Sequence, residues 1–251
     1  MLGEDDAQRF QLLAAALDAQ FGTPDAFGQL LRWAAGKTLQ DPARAKRFVA
    51  LLTELLERRG HPAQNPGKFL AGAIREASQA DNLEVFNALC DLQDALAADK
   101  RAPYDFSGLP ENTAPLLSGR ALLRLSTTSG WDHPEAYRHL LDGLDPTEFC
   151  HTAEESTPWA EVCLPGMAEL SAVYLLNRTS WHSRLVPFTL EASPDGTTWY
   201  PLGSSTEAQE RYLFTFAPVK ARYVRLTCHP GEGAKTFLHL RKFSLFGRKL
   251  Y

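Results

Sequence analysis

The chain has 251 residues, 44% of them hydrophobic, and a formal charge of −4, which suits one large domain or two ordinary ones, each with its own core. Thirty acidic residues against 26 basic ones remove the basic excess that marks nucleic-acid partners. The acidic start MLGEDDAQRF holds no apolar run long enough for a membrane span or a secretory signal, so a cytoplasmic location is expected if Met1 is the true start. Cys90, Cys150, Cys163 and Cys228 form neither a CxxC pair nor a close Cys/His cluster, so they read as reduced, partly buried thiols and not as a zinc or redox site.

Residues 5–99 carry repeated helix punctuation. Thr23-Pro24, Asp41-Pro42 and Asn65-Pro66 each place a capping side chain before a proline, whose missing N–H would be unpaired at a helix start anyway. Asp81 followed by Glu84 has the spacing of a capping box. Apolar residues recur at helical spacing in Phe48, Leu51, Leu52, Leu55 and Leu56, which Gly60-His61-Pro62 ends, and again in Leu83, Phe86, Leu89, Leu92 and Leu96. The expectation is an all-α bundle of about five helices over residues 1–101. Glu54, Glu57, Arg58 and Arg59 read as its solvated face, and His61 as a surface turn residue. A bundle without a chemical site suits self-association or the docking of a protein partner.

Residues 102–118, APYDFSGLPENTAPLLS, gather three prolines and lose helical periodicity, which marks the connection between domains. Tyr104, Phe106, Leu109, Leu116 and Leu117 make it a segment expected to pack on a domain surface. After Leu122 the period shortens. Leu170–Leu176, Phe188–Ala192, Tyr212–Phe216, Tyr223–Cys228 and Phe237–Phe246 are short, β-branched or aromatic, and separated by turn residues, which predicts an antiparallel β-sandwich over residues 119–251. The fold class is therefore α+β in two domains.

In chain order, the fragments WAEVCL from Trp159, LLNR at 175–178, FTLEASPDGTTWYPLG, ARYVRLTC at 221–228 and LRKFSLFG resemble the discoidin family, also called coagulation factor V/VIII type C or galactose-binding-like. The resemblance covers roughly residues 119–247 and implies a jelly-roll sandwich. Ser193, Asp195, Gly196 and Trp199 match the family's S-x-DG-x-x-W, which implies a structural turn and a packed Trp.

Members of this family often bind glycans at one loop end, beside a structural calcium ion. The segment DGLDPTEF keeps Asp142, Gly143 and Thr147 of the calcium loop, but Leu144 replaces an oxygen ligand, Phe149 stands for a Trp, and Lys242 stands where an acidic residue is usual. Calcium needs six to eight oxygens, so the resemblance implies a degenerate site around Asp142, Thr147 and Lys242 and no cofactor. Lys242 either takes the cation's place and pairs with Asp142 or points to solvent.

His151, Arg178 after 26 intervening residues and then Arg184 come near the His-Arg-Arg pattern of fucose-binding lectins of this superfamily. The departures are Ser180 at the acid's place and an Arg-to-Arg interval one residue short. Guanidiniums and an imidazole donate to sugar oxygens, and Trp181 or Trp131 offers an apolar face to a sugar ring. Trp181 and His182 lie in the turn RTSWHSR, where a large aromatic among polar residues calls for a contact. Structural roles for Arg178 and His151 remain open at this point. No GxSxG, HExxH or P-loop is present, so no enzyme is expected. The expected function is a non-catalytic, lectin-like glycan-binding protein, with His151, Arg178, Trp181, His182, Arg184 and Trp131 as ligand-binding candidates. The alternative is an intracellular protein-interaction adaptor using bundle and sandwich.

Overall fold

A computed structural model describes residues 66–97, 100–111 and 113–250. It divides into two compact units, the second made of Ser78–Leu83 and the chain from Lys100 onward. The expected bundle before Pro66, including the face from Phe48 to Leu56, lies outside the described residues.

Helix α1 (Pro66–Gln79) starts at the proline of Asn65-Pro66, and α2 (Leu83–Ala97) carries the predicted apolar repeat, with Phe86 and Leu89 fully buried. Asp81 is not the N-cap of a capping box. Its backbone is left-handed, with φ 55°, and its N–H reaches the Ser78 carbonyl at 3.2 Å, closing the end of α1. Aspartate tolerates this conformation because its short polar side chain bonds locally.

The second unit holds strands β1 (Leu122–Leu125), β2 (Cys150–His151), β3 (Trp159–Asn177), β4 (Phe188–Ser193), β5 (Tyr200–Ser205), β6 (Arg211–Cys228) and β7 (His239–Lys249), with the short helix α3 (Tyr137–Leu141) between β1 and β2. Every pairing is antiparallel, in the order β2-β7-β3-β6-β4-β5 with β1 also on β3. The long strands β3 and β6 give the sandwich its two layers. Residues 159–163 of β3 lie between β1 and residues 223–227 of β6, whereas residues 168–176 lie between β7 and residues 211–221 of β6. The strands bend where register shifts. Residues 164–167, with Pro165 and Gly166, stand opposite Arg222 alone, and residues 216–218 stand opposite Ser171. Pro218 has no N–H to give a ladder, so it suits a bulge. The two strands read separately at Tyr212–Phe216 and Tyr223–Cys228 are thus one strand bent through both layers.

Alternation along β3 buries residues on both faces. Ala172, Tyr174 and Leu176, with Phe246, meet Tyr104, Phe106, Leu109 and Leu116 of the connecting segment. That segment is fastened by the Leu117 N–H on the Leu245 carbonyl at 2.8 Å and by the Tyr104 and Tyr174 hydroxyls at 3.1 Å.

The Ser193–Trp199 turn is a self-contained network. Ser193 Oγ accepts the Gly196 N–H at 2.8 Å, Asp195 Oδ1 accepts the Thr197 and Thr198 N–H groups at 2.8 Å each, and Gly196 sits at φ +77°. Those amides hold the Asp195 carboxyl well below the usual carboxylate range. Trp199 and Trp159 sandwich the Arg225 guanidinium at 4.2 and 4.8 Å, and Arg225 in turn pairs with the fully buried Glu161 at 2.6 Å. Arg124 pairs with the other Glu161 oxygen, so the three charges form one row across β1, β3 and β6.

Candidate functional site

Strand β2 pairs with the start of β7 so that His151 stands opposite His239. The two-residue period then gives one face to Phe149 and His151 and to Phe237 and His239, while Cys150, Leu238 and Leu240 are fully buried in the core. The His151 ring lies 5.7 Å from His239, 5.3 Å from Phe237 and 6.0 Å from Phe149. Asp132 fixes this strand: its carboxylate accepts the His151 N–H at 2.9 Å and the Tyr137 hydroxyl at 2.7 Å. His151 Nδ1 lies 2.7 Å from the Thr152 carbonyl, which can only accept, so Nδ1 carries the proton and Nε2 is the ring's acceptor.

Two arginines come in from the end of β3 and the turn after it. The fully buried Asn177 shapes this turn by donating to the Gln209 and His182 carbonyls at 3.1 and 3.2 Å and accepting the Arg178 N–H at 2.9 Å. The Arg178 guanidinium lies 4.4 Å over the Phe149 ring. Arg184 lies 4.4 Å over Trp181 and 5.1 Å over Phe237. Stacking leaves the N–H edges of each guanidinium free to donate. Trp181 is 59% exposed in a left-handed backbone at φ 67°, a conformation that costs a bulky residue energy and is held by its surroundings.

Burial, reinforced by the nearby Arg178 and Arg184 charges, pushes the His151 imidazolium down. Burial, His151 and the same arginines push His239 down to about 3, so both rings are neutral at pH 7.

The structure therefore brings His151, Arg178 and Arg184 together, with Trp181 stacked on Arg184. Trp131, 73% exposed, belongs to the loop that touches the same histidine: Ser129 Oγ accepts its N–H and meets His151 Nδ1, both at 3.1 Å. His182 enters through its main chain, and its ring Nε2 is buried without a hydrogen-bond partner among the described residues. Sequence reasoning missed His239, Phe237 and Asn177 as site residues, and took Phe149 only for a replaced tryptophan. The Phe-x-His step at 237–239, beside a strand partner with the same step at 149–151, is the signal that finds three of them.

The residues around Asp142 do not fit a calcium ion. The fully buried Lys242 ammonium donates to the His139 and Asp142 carbonyls at 2.8 Å each and lies 3.3 Å from Asp142 Oδ1, while Arg101 takes Oδ2 at 2.7 Å. Leu144 has no side-chain oxygen and spends its N–H on Asp142 Oδ1, and the Thr147 hydroxyl is engaged by His139 Nδ1. Two cations thus occupy the oxygens that a calcium ion would need.

Residues 139–226 match the family model of the F5/8 type C group described as a NedA-like, galactose-binding domain. The motif resemblance to that group is borne out over these residues. Among solved structures, a fucolectin from striped bass (Morone saxatilis) serum is 19% identical, with 55% of this chain and 48% of that one covered at a TM-score of 0.48. This chain thus spans about half the length of the fucolectin chain. A Streptococcus pneumoniae fucose-binding module is 20% identical over 54% of this chain and 99% of its own, with a TM-score of 0.46. The family 32 carbohydrate-binding module of Clostridium perfringens NanJ, solved with galactose, is 17% identical over 52% and 97%, with a TM-score of 0.43. No curated protein matches the chain.

Proposed function

We propose that this protein is a non-catalytic, lectin-like carbohydrate-binding protein that recognises a glycan at the loop end of its sandwich without calcium. The observation that carries the reading is the convergence of His151, Arg178 and Arg184 beside the exposed, left-handed Trp181. Guanidinium edges donate to ring and hydroxyl oxygens, and an indole face covers the apolar side of a sugar ring. The description of the matched family model points the same way. Binding is favoured over catalysis because the carboxylates near the cluster have other work: Asp132 holds a backbone N–H and a tyrosine, and Glu155 takes the Ser126 and Thr127 hydroxyls. Hydrolysis of a glycosidic bond needs two carboxyl groups facing one cleft.

A glycan-array screen of the full chain, with and without EDTA, tests this. Reproducible binding that survives EDTA and is lost in an Arg178→Ala/Trp181→Ala double variant is expected. A folded protein that binds no glycan contradicts it.

A further inference from the structure

Arginine use across the sandwich is uneven. Arg124 and Arg225 pair with Glu161, Arg101 with Asp142 and Arg248 with Glu169, while Arg222 and Arg241 donate to the Leu164 and Pro146 carbonyls. Arg178 and Arg184 do neither: both are half-buried, each is stacked on an aromatic ring, and neither guanidinium has a hydrogen bond or an ion pair among the described residues. The nitrogens of both guanidiniums still reach water in the free protein; a ligand that docks here displaces that water and must replace it, and a guanidinium resting on a ring presents an ordered fork for a planar or tetrahedral oxyanion.

Beneath them, His239 is fully buried, and neither of its ring nitrogens has a partner among the described residues. The acidic groups at this end are turned elsewhere, Glu135 and Glu148 toward His133 and Asp132 into β2. No carboxylate among the described residues forms an ion pair with either guanidinium.

Resting on the reading that this end binds a glycan, we propose that the glycan is acidic: a sugar whose carboxylate or other oxyanion pairs with the Arg178 and Arg184 guanidiniums. Neutral sugars offer hydroxyls that satisfy N–H donors but leave both charges uncompensated. An oxyanion meets both needs, and its charge-assisted bonds are about twice as strong. Trp181, stacked on Arg184, then lies beside the charged substituent and takes the ring face of the same residue or its neighbour.

The test is calorimetric titration of the full chain with matched pairs: methyl galactoside against galacturonic acid, methyl glucoside against glucuronic acid, and galactose against galactose 6-phosphate. The acidic member is expected to bind about tenfold or more tighter than its neutral counterpart, with an affinity that falls as NaCl rises. Arg178→Gln and Arg184→Gln are each expected to remove that preference. Carboxylate and phosphate members separate the two kinds of oxyanion. A neutral member that binds as tightly as its acid overturns the proposal and leaves the glycan reading standing. No binding by any member, together with a blank glycan array, overturns both.

Discussion

Lys242 Nζ donates to the Asp142 carbonyl at 2.8 Å and lies 3.3 Å from Oδ1 of the same residue, inside the fold and out of reach of water. An ammonium in that position holds together the His139–Asp142 turn and the last strand from within, as a bound cation would. Burial lowers its pKa to about 8 from 10.5, and the neighbouring Asp142 only partly opposes this. Between these two values the folded protein has released a proton that the unfolded chain keeps, so the stability linked to Lys242 rises as pH climbs from about 8 to 10.5 and is lost on the way down. The gap corresponds to roughly 3 kcal/mol. Burial raises the pKa of the Cys150, Cys163 and Cys228 thiols, which lowers stability above about pH 9 in any variant, so the expected signature in chemical denaturation is the difference between the native protein and Lys242→Met, which shifts in favour of the native protein as pH rises through this window.

Glu161 is the second buried charge that the fold depends on. It is wholly inaccessible, with Arg124 on one oxygen and Arg225 on the other, and Arg225 is itself clamped by Trp159 and Trp199. Glu161→Gln strands two guanidiniums at the sheet, and a loss of about 3 kcal/mol is expected in urea unfolding. A loss below about 1 kcal/mol would assign the row to solvent-screened pairing.

Trp181 separates stability from binding. Trp181→Gly removes the left-handed strain at φ 67° and also the ring under Arg184. These effects are each about 1 kcal/mol and oppose one another. Thermal unfolding is therefore expected to change little while glycan affinity falls at least about tenfold.

His239 gives an acid-side signature. Its ring is neutral in the fold because burial and the Arg178 and Arg184 charges push its pKa down to about 3. The unfolded chain protonates it near 6.5, so the linked stability is complete above that pH and is lost as pH falls toward 3. His239→Leu is expected to flatten the decline between pH 6 and pH 4 in an unfolding series. At neutral pH it is expected to match or exceed the native protein, since two unpaired buried nitrogens are removed.

Much of the sandwich was legible because its signals are local. The two-residue alternation of β3 and β4 and the Ser-x-Asp-Gly turn depend on neighbours within a few positions. The single strand β6 was not, since its bend at Pro218 is a property of the pairing with β3, and a proline between two apolar runs reads as a break. His151, Arg178 and Arg184 were legible through spacing that follows a known pattern. His239 was not, because FLHL reads as plain core until β2 is laid beside it. The sequence left Lys242 open between solvent and Asp142. Its burial follows from the outward face of β7 being covered by Tyr104, Phe106, Leu109 and Leu116, with Tyr104 itself 5.3 Å from the ammonium.

The central claim is that a sugar lands on the loop end, and the five tryptophans report on it directly. In a nitrogen-15 NMR titration of the full chain with the tightest glycan from the array, the indole N–H signals of Trp181 and Trp131 are expected to move. Those of Trp159 and Trp199, locked around Arg225, are expected to stay. Movement at Trp159, Trp199 or Trp33 with Trp181 unchanged would contradict the account.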